Sequence, residues 1–90
     1  MLGHRGRHLD RPHGRDRFWT APVVDDCTAG CTTLRLHRES HENPEDTAVA
    51  AEVIFWDAAG QYFLQTFNGD VPLDIIEALI AEAKEKIKYK

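Results

Sequence analysis

The clearest alternation of apolar and polar residues runs from Ala48 to Phe67, in AVAAEVIFWDAAGQYFLQTF. Its two halves are rich in β-branched and aromatic residues and flank the tetrapeptide DAAG, which suits a type I turn with Asp57 first and Gly60 fourth. A left-handed Gly60 would complete a three-residue hairpin loop with a bulge, and Asp57 would then lie opposite Gln61. The resulting register is expected to pair Trp56 with Tyr62, Phe55 with Phe63, Ile54 with Leu64, and Val53 with Gln65.

An amphipathic helix is predicted from about Pro72 to Lys88, because apolar residues recur there at spacings of three and four. Asp70 or Val71 is expected to cap it, with Pro72 in the first turn, where its missing N–H costs nothing. Acidic residues near the start and lysines near the end suit the helix dipole. The predicted apolar stripe consists of Leu73, Ile76, Ile80, Ala83 and Ile87, widened by Ile75 and Leu79.

A further strand is predicted for residues 31–39, CTTLRLHRE, because Leu34 and Leu36 alternate with polar residues. The apolar stretch 18–24, FWTAPVV, contains Pro22, which limits it to an edge strand or a docked extended segment. These elements predict an α+β fold, in which a three-stranded antiparallel sheet carries one C-terminal helix on one face (βββα).

The first 17 residues, MLGHRGRHLDRPHGRDR, combine Arg, His, Gly and Asp with almost no apolar periodicity. Such a segment buries too little apolar surface to offset the entropy of ordering it, so residues 1–17 are expected to form a flexible, disordered Arg/His-rich tail. Residues 18–90 would then form the small α+β domain. The tail has three open interpretations: an idle extension, a basic arm on phosphate groups, or a gene-boundary error with translation beginning near Val23 or Val24.

Charge and hydropathy exclude several classes of protein. The chain has 11 Lys and Arg against 15 Asp and Glu, giving a net charge of −4, which argues against a general nucleic-acid or membrane binder. No apolar run approaches the roughly 18 residues of a membrane span, and the N-terminus has no apolar signal core, so a cytoplasmic protein is expected. There the two cysteines are expected to be reduced thiols.

The predicted register leaves one face of the sheet without a cover, since a single helix covers only the face that carries Leu34 and Leu36. The opposite face is expected to carry a contiguous aromatic and aliphatic patch, and such patches usually mark interaction sites. Residues 18–24 folding back, a second copy of the chain, or a different macromolecule could each cover it. The predicted partner-binding residues are Arg35, His37, Ile54, Trp56, Tyr62 and Leu64.

One group of residues has the composition of a zinc site, in the pattern C-x3-C-x5-H-x3-H. The spacing differs from that of zinc fingers, and a strand would hold Cys31 and His37 about 20 Å apart. We therefore expect no metal and no other cofactor. The four residues of this pattern are Cys27, Cys31, His37 and His41.

The sequence also lacks the motifs of common catalytic sites. It contains no phosphate-binding Gly-rich loop, no Ser-His-Asp signature and no paired carboxylates on a predicted rigid element. A cysteine-histidine nucleophilic pair would need a pocket and an oriented base, for which a domain of this size has little room. Neither enzymatic activity nor a small-molecule substrate is expected.

Short stretches near the C-terminal end carry a resemblance: F-W-D-A-A-G at 55–60, N-G-D at 68–70, E-A-L at 77–79 and A-K-E-K-I at 83–87. Over about the last forty residues the chain resembles the HicB-type antitoxins, in which a strand ends in an F-x-D-x-x-G turn and a G-D step leads into a helix. The resemblance implies a partial ribonuclease-H-like fold without catalytic activity, which binds and neutralises a small ribonuclease toxin, typically as an oligomer. The same stretches are similar to small uncharacterised bacterial proteins.

The sequence therefore predicts a non-enzymatic protein-interaction module. Its exposed aromatic face would bind a second copy, giving a homodimer, or another protein. A HicB-like antitoxin is one alternative. A weak binder of single-stranded nucleic acid is another, in which bases would stack on Trp56 and Tyr62 while Arg35 contacts the backbone. The acidic composition argues against nucleic acid as the partner.

Overall fold

Six β-strands and one α-helix make up the described part of this computed structural model, which describes residues 8–26, 28–40, 47–67 and 69–87. The strands form a single antiparallel sheet, and the helix follows the last strand. The elements are β1 (Asp10–His13), β2 (Asp16–Thr20), β3 (Val24–Asp26), β4 (Cys31–Ser40), β5 (Thr47–Trp56), β6 (Gln61–Thr66) and α1 (Leu73–Lys86).

The sheet follows the order β1-β2-β4-β5-β6, and β3 also pairs with β4. Strands β2 and β3 lie end to end along the same side of β4, where β2 pairs with residues 36–40 and β3 with residues 31–33. Pro22 lies between these two strands, where the missing N–H removes no ladder hydrogen bond. Ala21 N–H donates to the carbonyl of Arg35 at 3.0 Å, which keeps the connection close to β4.

The α+β class and the C-terminal helix are confirmed, but the prediction of a three-stranded sheet is wrong, because the sheet has six strands. Strand β1 and the start of β2 lie within the stretch that was predicted to be a flexible tail. Leu9 is buried there, and the Arg17 guanidinium pairs with Asp10 across the two strands at 2.7 Å. Residues 1–7 of that stretch lie outside the described residues.

The core lies between α1 and one face of the sheet. Phe18, Leu34 and Leu36 contribute to it from β2 and β4. The buried stripe on the helix is rotated from the predicted one. Ile75 and Leu79, which were expected only to widen it, are buried, whereas Leu73 is 76% exposed. The buried side chains of the helical segment are Ile75, Leu79, Glu82, Ala83 and Ile87.

The predicted hairpin register is wrong by one residue. The loop contains four residues, 57–60, so that Trp56 pairs with Gln61, and the carbonyl of Trp56 accepts from Gly60 N–H at 2.8 Å. Gly60 has the expected left-handed conformation, with φ 66°. The Asp57 N–H is bound instead by the carbonyl of Gly30 at 3.0 Å, in the turn that precedes β4.

The shift of one residue turns every side chain of β6 to the opposite face. Tyr62 now packs beneath the helix, with its ring 4.9 Å from that of Phe55 and its hydroxyl donating to the carbonyl of Ile87. Phe63 takes the place on the other face that was predicted for Tyr62 and Leu64.

The described residues contain no helix that is long and apolar enough to cross a membrane.

Candidate functional site

The face of the sheet opposite α1 is called here the open face, because among the described residues no element packs over it. Residues 18–24 were predicted as one possible cover, but residues 18–20 and residue 24 belong to strands of the sheet and pair with β4. Partners in the register share a face, so one row of open-face side chains crosses four strands. That row consists of Val24, Thr33, Ile54 and Phe63.

An apolar patch occupies the end of the open face near the β5–β6 turn. Trp56 lies in the row next to that of Ile54 and Phe63, opposite Cys31 on β4 and Gln61 on β6. Phe63 is 47% exposed, Val24 51% and Trp56 38%. Phe63 is the direct cross-strand partner of Ile54, and Trp56 lies two residues from Ile54 on the same face, which distinguishes these side chains from singly exposed hydrophobic residues. The open-face patch is defined as Val24, Ile54, Trp56 and Phe63.

The other end of the open face is occupied by contacts within the chain. The indole of Trp19 stacks on the imidazole of His37, with ring centroids 5.7 Å apart and planes inclined by 18°. The guanidinium of Arg17 lies over the same indole at 5.7 Å while it is paired with Asp10. These aromatic and cationic groups already have partners, so this end of the face offers little unsatisfied surface.

An ion pair separates these two ends. Arg35 on β4 donates to Glu52 on β5 at 3.1 Å, and the two residues are direct cross-strand partners. The predicted contact of Arg35 with a nucleic-acid backbone would compete with this carboxylate. The local charge of the open face is therefore balanced between β4 and β5.

The structure brings together four of the six predicted partner-binding residues, since Arg35, His37, Ile54 and Trp56 share the open face. Tyr62 and Leu64 lie on the helix face, because of the shifted register. The sequence-based prediction missed Val24 and Phe63. A four-residue loop at DAAG would have placed Phe63 correctly, and it is consistent with the same left-handed glycine.

Two of the four residues in the possible zinc pattern lie on one strand, too far apart to bind the same metal ion. Cys31 and His37 both belong to β4, and six residues of extended chain separate them by about 20 Å. Cys27 and His41 lie outside the described residues. Within residues 8–26, 28–40, 47–67 and 69–87, no group of three or more His, Cys, Asp or Glu side chains is placed to hold a metal ion.

A buried carboxylate is the feature that the sequence-based prediction missed entirely. Glu82, on α1, is 2% exposed and accepts hydrogen bonds from Leu9 N–H at 2.9 Å and from the Thr20 hydroxyl at 2.8 Å. The ammonium of Lys86 contacts its other oxygen at 2.6 Å. The imidazole Nδ1 of His8 lies 3.1 Å from the Thr20 hydroxyl, at the border of the network.

This network joins the N-terminal strands to the helix. A buried carboxylate is tolerated when it is paired and hydrogen-bonded, and Glu82 has both a cation and neutral donors. A cleft of about 510 Å³ lies beside it, lined by His8, Leu9, Asp10, Arg11, Ala78, Ala81, Glu82 and Glu85. Both oxygens of Glu82 already accept hydrogen bonds, so we assign this carboxylate to stability rather than to ligand binding.

Comparisons with protein-family models, with curated proteins and with solved structures give no match. The open-face patch is therefore interpreted from its own residues and contacts.

Proposed function

We propose that the chain is a non-enzymatic protein-interaction module that binds through its open-face patch. The partner is a second copy of the chain or another protein. The observation that carries this proposal is the cluster of apolar side chains on the open face, in which Ile54 lies beside Phe63 and Trp56, and Val24 lies across Thr33 in the same row. The patch therefore lies near one end of the sheet rather than being scattered over it.

The composition of the patch suits a protein partner. Trp and other aromatic residues are enriched at the centres of protein interfaces, where burial of one such anchor often contributes about 2 kcal/mol or more to binding. The polar residues around the patch, such as Gln61 and the Arg35–Glu52 pair, would form a rim that needs no new charged partner. This arrangement of an apolar centre and a polar rim is typical of interfaces between proteins.

Charge supports a protein rather than a nucleic acid as partner. The chain has a net charge of −4, and the two arginines of the open face, Arg17 and Arg35, are paired with Asp10 and Glu52. Nucleic-acid binding depends on cations that are available to phosphates. A protein surface with an apolar centre requires no such cations.

Site-specific photo-cross-linking would test the proposal in the cell that produces the chain. Benzoylphenylalanine replaces Trp56 in one variant and Leu73 in a control variant, because Leu73 is 76% exposed on the helix, away from the patch. We expect a defined cross-linked species from position 56, either a dimer of the chain or an adduct with one other protein.

A second substitution tests whether the cross-link from position 56 depends on the open-face patch. Adding Phe63→Arg to the position-56 variant is expected to abolish the cross-link, because it places a charge within the open-face patch. Yields at position 56 no higher than at position 73, or yields unchanged by Phe63→Arg, would contradict the proposal.

A HicB-like antitoxin is a second candidate, supported by the order of elements in the last part of the chain. Strand β5, the turn at 57–60, strand β6, the Gly69-Asp70 step and α1 follow one another in the order that the resemblance implies. On this proposal the partner is a small ribonuclease, and the open-face patch is the surface that binds it.

Co-expression would separate this candidate from a module with a different partner. The chain would be produced together with any small ribonuclease encoded beside it, and the mass of the purified complex would be measured by light scattering. A stable complex in which the ribonuclease is inactive supports the antitoxin. Ribonuclease activity unaffected by an excess of the chain would exclude that pair.

A further inference from the structure

The strands that have an unpaired side in the described sheet, β1, β3 and β6, differ in their ability to pair with another strand. Strand β6 lies in a stretch of twelve residues, 58–69, that contains no charged side chain, although the chain as a whole has a net charge of −4. Strand β1, DRPH, contains a proline and charged residues, and the three-residue β3, VDD, contains two aspartates. Charges and proline are the usual protection of an edge against pairing with another chain, and β6 lacks both.

Hydrogen bonding within the sheet shows which backbone groups of β6 point outward. Phe67 N–H donates to the carbonyl of Ala50 at 2.9 Å, and the register places these two residues opposite each other. Because hydrogen-bonded pairs alternate along an antiparallel ladder, residues 61, 63 and 65 also bond towards β5. The N–H and C=O groups of Tyr62, Leu64 and Thr66 therefore point away from the sheet.

The same reasoning shows that β1 is a poor edge for pairing. Thr20 N–H donates to the carbonyl of Leu9 at 3.0 Å, so Arg11 and His13 bond towards β2 while Asp10 and Pro12 point outward. Pro12 has no N–H to donate, and Asp10 is held by Arg17. Of β1 and β6, only β6 thus presents an uninterrupted row of donors and acceptors.

A small cleft lies beside the outward-facing backbone of β6. Its volume is about 230 Å³, and it lies between the strand and the helix, where Leu64 is 45% exposed. Most of its wall is apolar, and the stem of Lys84 closes one side. The lining residues are Val53, Tyr62, Phe63, Leu64, Ile80 and Lys84.

We propose that β6 pairs antiparallel with β6 of a second copy of the chain, about a two-fold axis that passes through Leu64. Tyr62 of each copy then lies opposite Thr66 of the other, and Leu64 lies opposite Leu64 of the second copy. Every outward N–H and C=O of residues 62, 64 and 66 finds a partner in this register. The Leu64 side chains meet beside the two clefts and cover them.

The partner is a second copy because the uncharged stretch is self-complementary. Two chains of the same net charge repel one another least where the contacting segments are neutral. A two-fold axis at Leu64 places both helices on the same side of the joined sheet, since residues opposite each other share a face. The assembly stops at two copies because the strands at its ends do not pair: β1 contains a proline and charged residues, and β3 is short and contains two aspartates.

This edge pairing is independent of the function proposed for the open face, because it uses the backbone of β6 and the helix side of Leu64. It does place the two open faces side by side, so that a partner could contact both patches. Trp56 lies on β5, which is not an edge strand, and so distinguishes the two surfaces.

Light scattering coupled to size-exclusion chromatography tests the pairing on the full chain. We expect the wild type to show twice the 10.2 kDa mass of one chain, and Leu64→Lys to show the single mass, because the axis would bring two ammonium groups together. Leu73→Lys, which adds the same charge at an exposed helix position, and Trp56→Ala are expected to remain dimeric. Circular dichroism of Leu64→Lys verifies that the chain is still folded.

Disulfide cross-linking tests the register in a background that carries Cys27→Ser and Cys31→Ser. Leu64→Cys should oxidise to a covalent dimer, because residues opposite each other lie within disulfide reach. Thr66→Cys is the matched control, since four residues of strand would separate the two copies of residue 66 by about 14 Å. We expect little covalent dimer from it.

Three results would overturn the edge pairing. One is a wild type that stays monomeric at all concentrations, and another is preferential cross-linking through position 66. The third is a dimer that Trp56→Ala dissociates and Leu64→Lys does not. That last outcome would move self-association to the open face and would support the proposed function while removing this one.

Discussion

Phe55 and Trp56 are neighbours in β5, yet Phe55 is 4% exposed beneath α1 and Trp56 is 38% exposed on the open face. The same strand thus supplies aromatic side chains to two surfaces with different neighbours. On the helix face, apolar residues are enclosed by α1 and by Tyr62. On the open face, the aromatic residue near the β5–β6 turn has no cover among the described residues.

One face of this sheet is packed against the helix, whereas the apolar patch on the other face stays exposed to water. Packing on the helix face buries Leu34, Leu36 and Val53 almost completely, and such burial contributes most of the free energy of folding. The open-face patch retains apolar exposure that a binding partner could remove from water. Substitutions of adjacent residues should therefore separate the two effects.

The largest expected effect is on the helix face. Phe55→Ala should lower the free energy of unfolding by about 3–5 kcal/mol, because it removes a buried ring and leaves a cavity beneath the helix. Since small domains are stable by only about 5–15 kcal/mol, the variant should be close to unfolding. Urea unfolding followed by circular dichroism measures the change. A loss below about 1 kcal/mol would mean that this face is not the core.

Glu82→Leu is expected to lower the free energy of unfolding somewhat less, by about 2–3 kcal/mol. The Leu9 N–H and the Thr20 hydroxyl would then be buried without their acceptor. Lys86→Ala is the matched control, since it leaves those two donors bound to the carboxylate and should cost less. Thermal unfolding of both variants compares them. Equal losses would show that the ion pair, rather than the tie to the N-terminal strands, carries the stability.

Substitution on the open face is expected to lower the free energy of unfolding by less than either of these changes. Trp56→Ala should lower the free energy of unfolding by about 1 kcal/mol, well below the loss from Phe55→Ala, because its ring is covered only on the side of the sheet. Guanidinium unfolding of Trp56→Ala and Phe55→Ala under one set of conditions compares their losses in free energy of unfolding. Losses of the same size would contradict the distinction between the faces.

The smallest effect is expected between the two ends of the open face. Arg35→Gln should change the free energy of unfolding by about 0.5 kcal/mol or less, because its side chain is 51% exposed and exposed ion pairs contribute little. A double-mutant cycle with Glu52→Gln isolates the coupling between the two side chains. A coupling above about 2 kcal/mol would show that this pair helps to hold the sheet together.

Much of the C-terminal half could be predicted from the sequence. The spacing of apolar residues predicted α1, and the alternation in CTTLRLHRE predicted the strand that became β4. The DAAG turn was recognised, but three- and four-residue loops both accept a left-handed glycine, so the sequence did not decide the register. The Gly30 carbonyl that binds Asp57 N–H belongs to a distant turn, and no local pattern reveals it.

The N-terminal strands could not be predicted from local pattern, because their stabilising partners are distant in the chain. Leu9 N–H is bound by a carboxylate 73 residues away, and the Thr20 hydroxyl by the same group 62 residues away. Composition alone made this segment resemble a disordered tail. A weak signal for the burial of Glu82 did exist, since position 82 lies three residues after Leu79 and seven after Ile75 on a helix.

Radical footprinting of the chain inside the producing cell tests most directly whether the open-face patch is covered by a partner. The oxidation of Trp56 is compared between the cell and the diluted, purified chain, with Leu73 as the reference for an exposed side chain. We predict that Trp56 is protected in the cell while Leu73 is oxidised equally in both samples. Equal oxidation of Trp56 in both samples would contradict the assignment of the open face as an interaction surface.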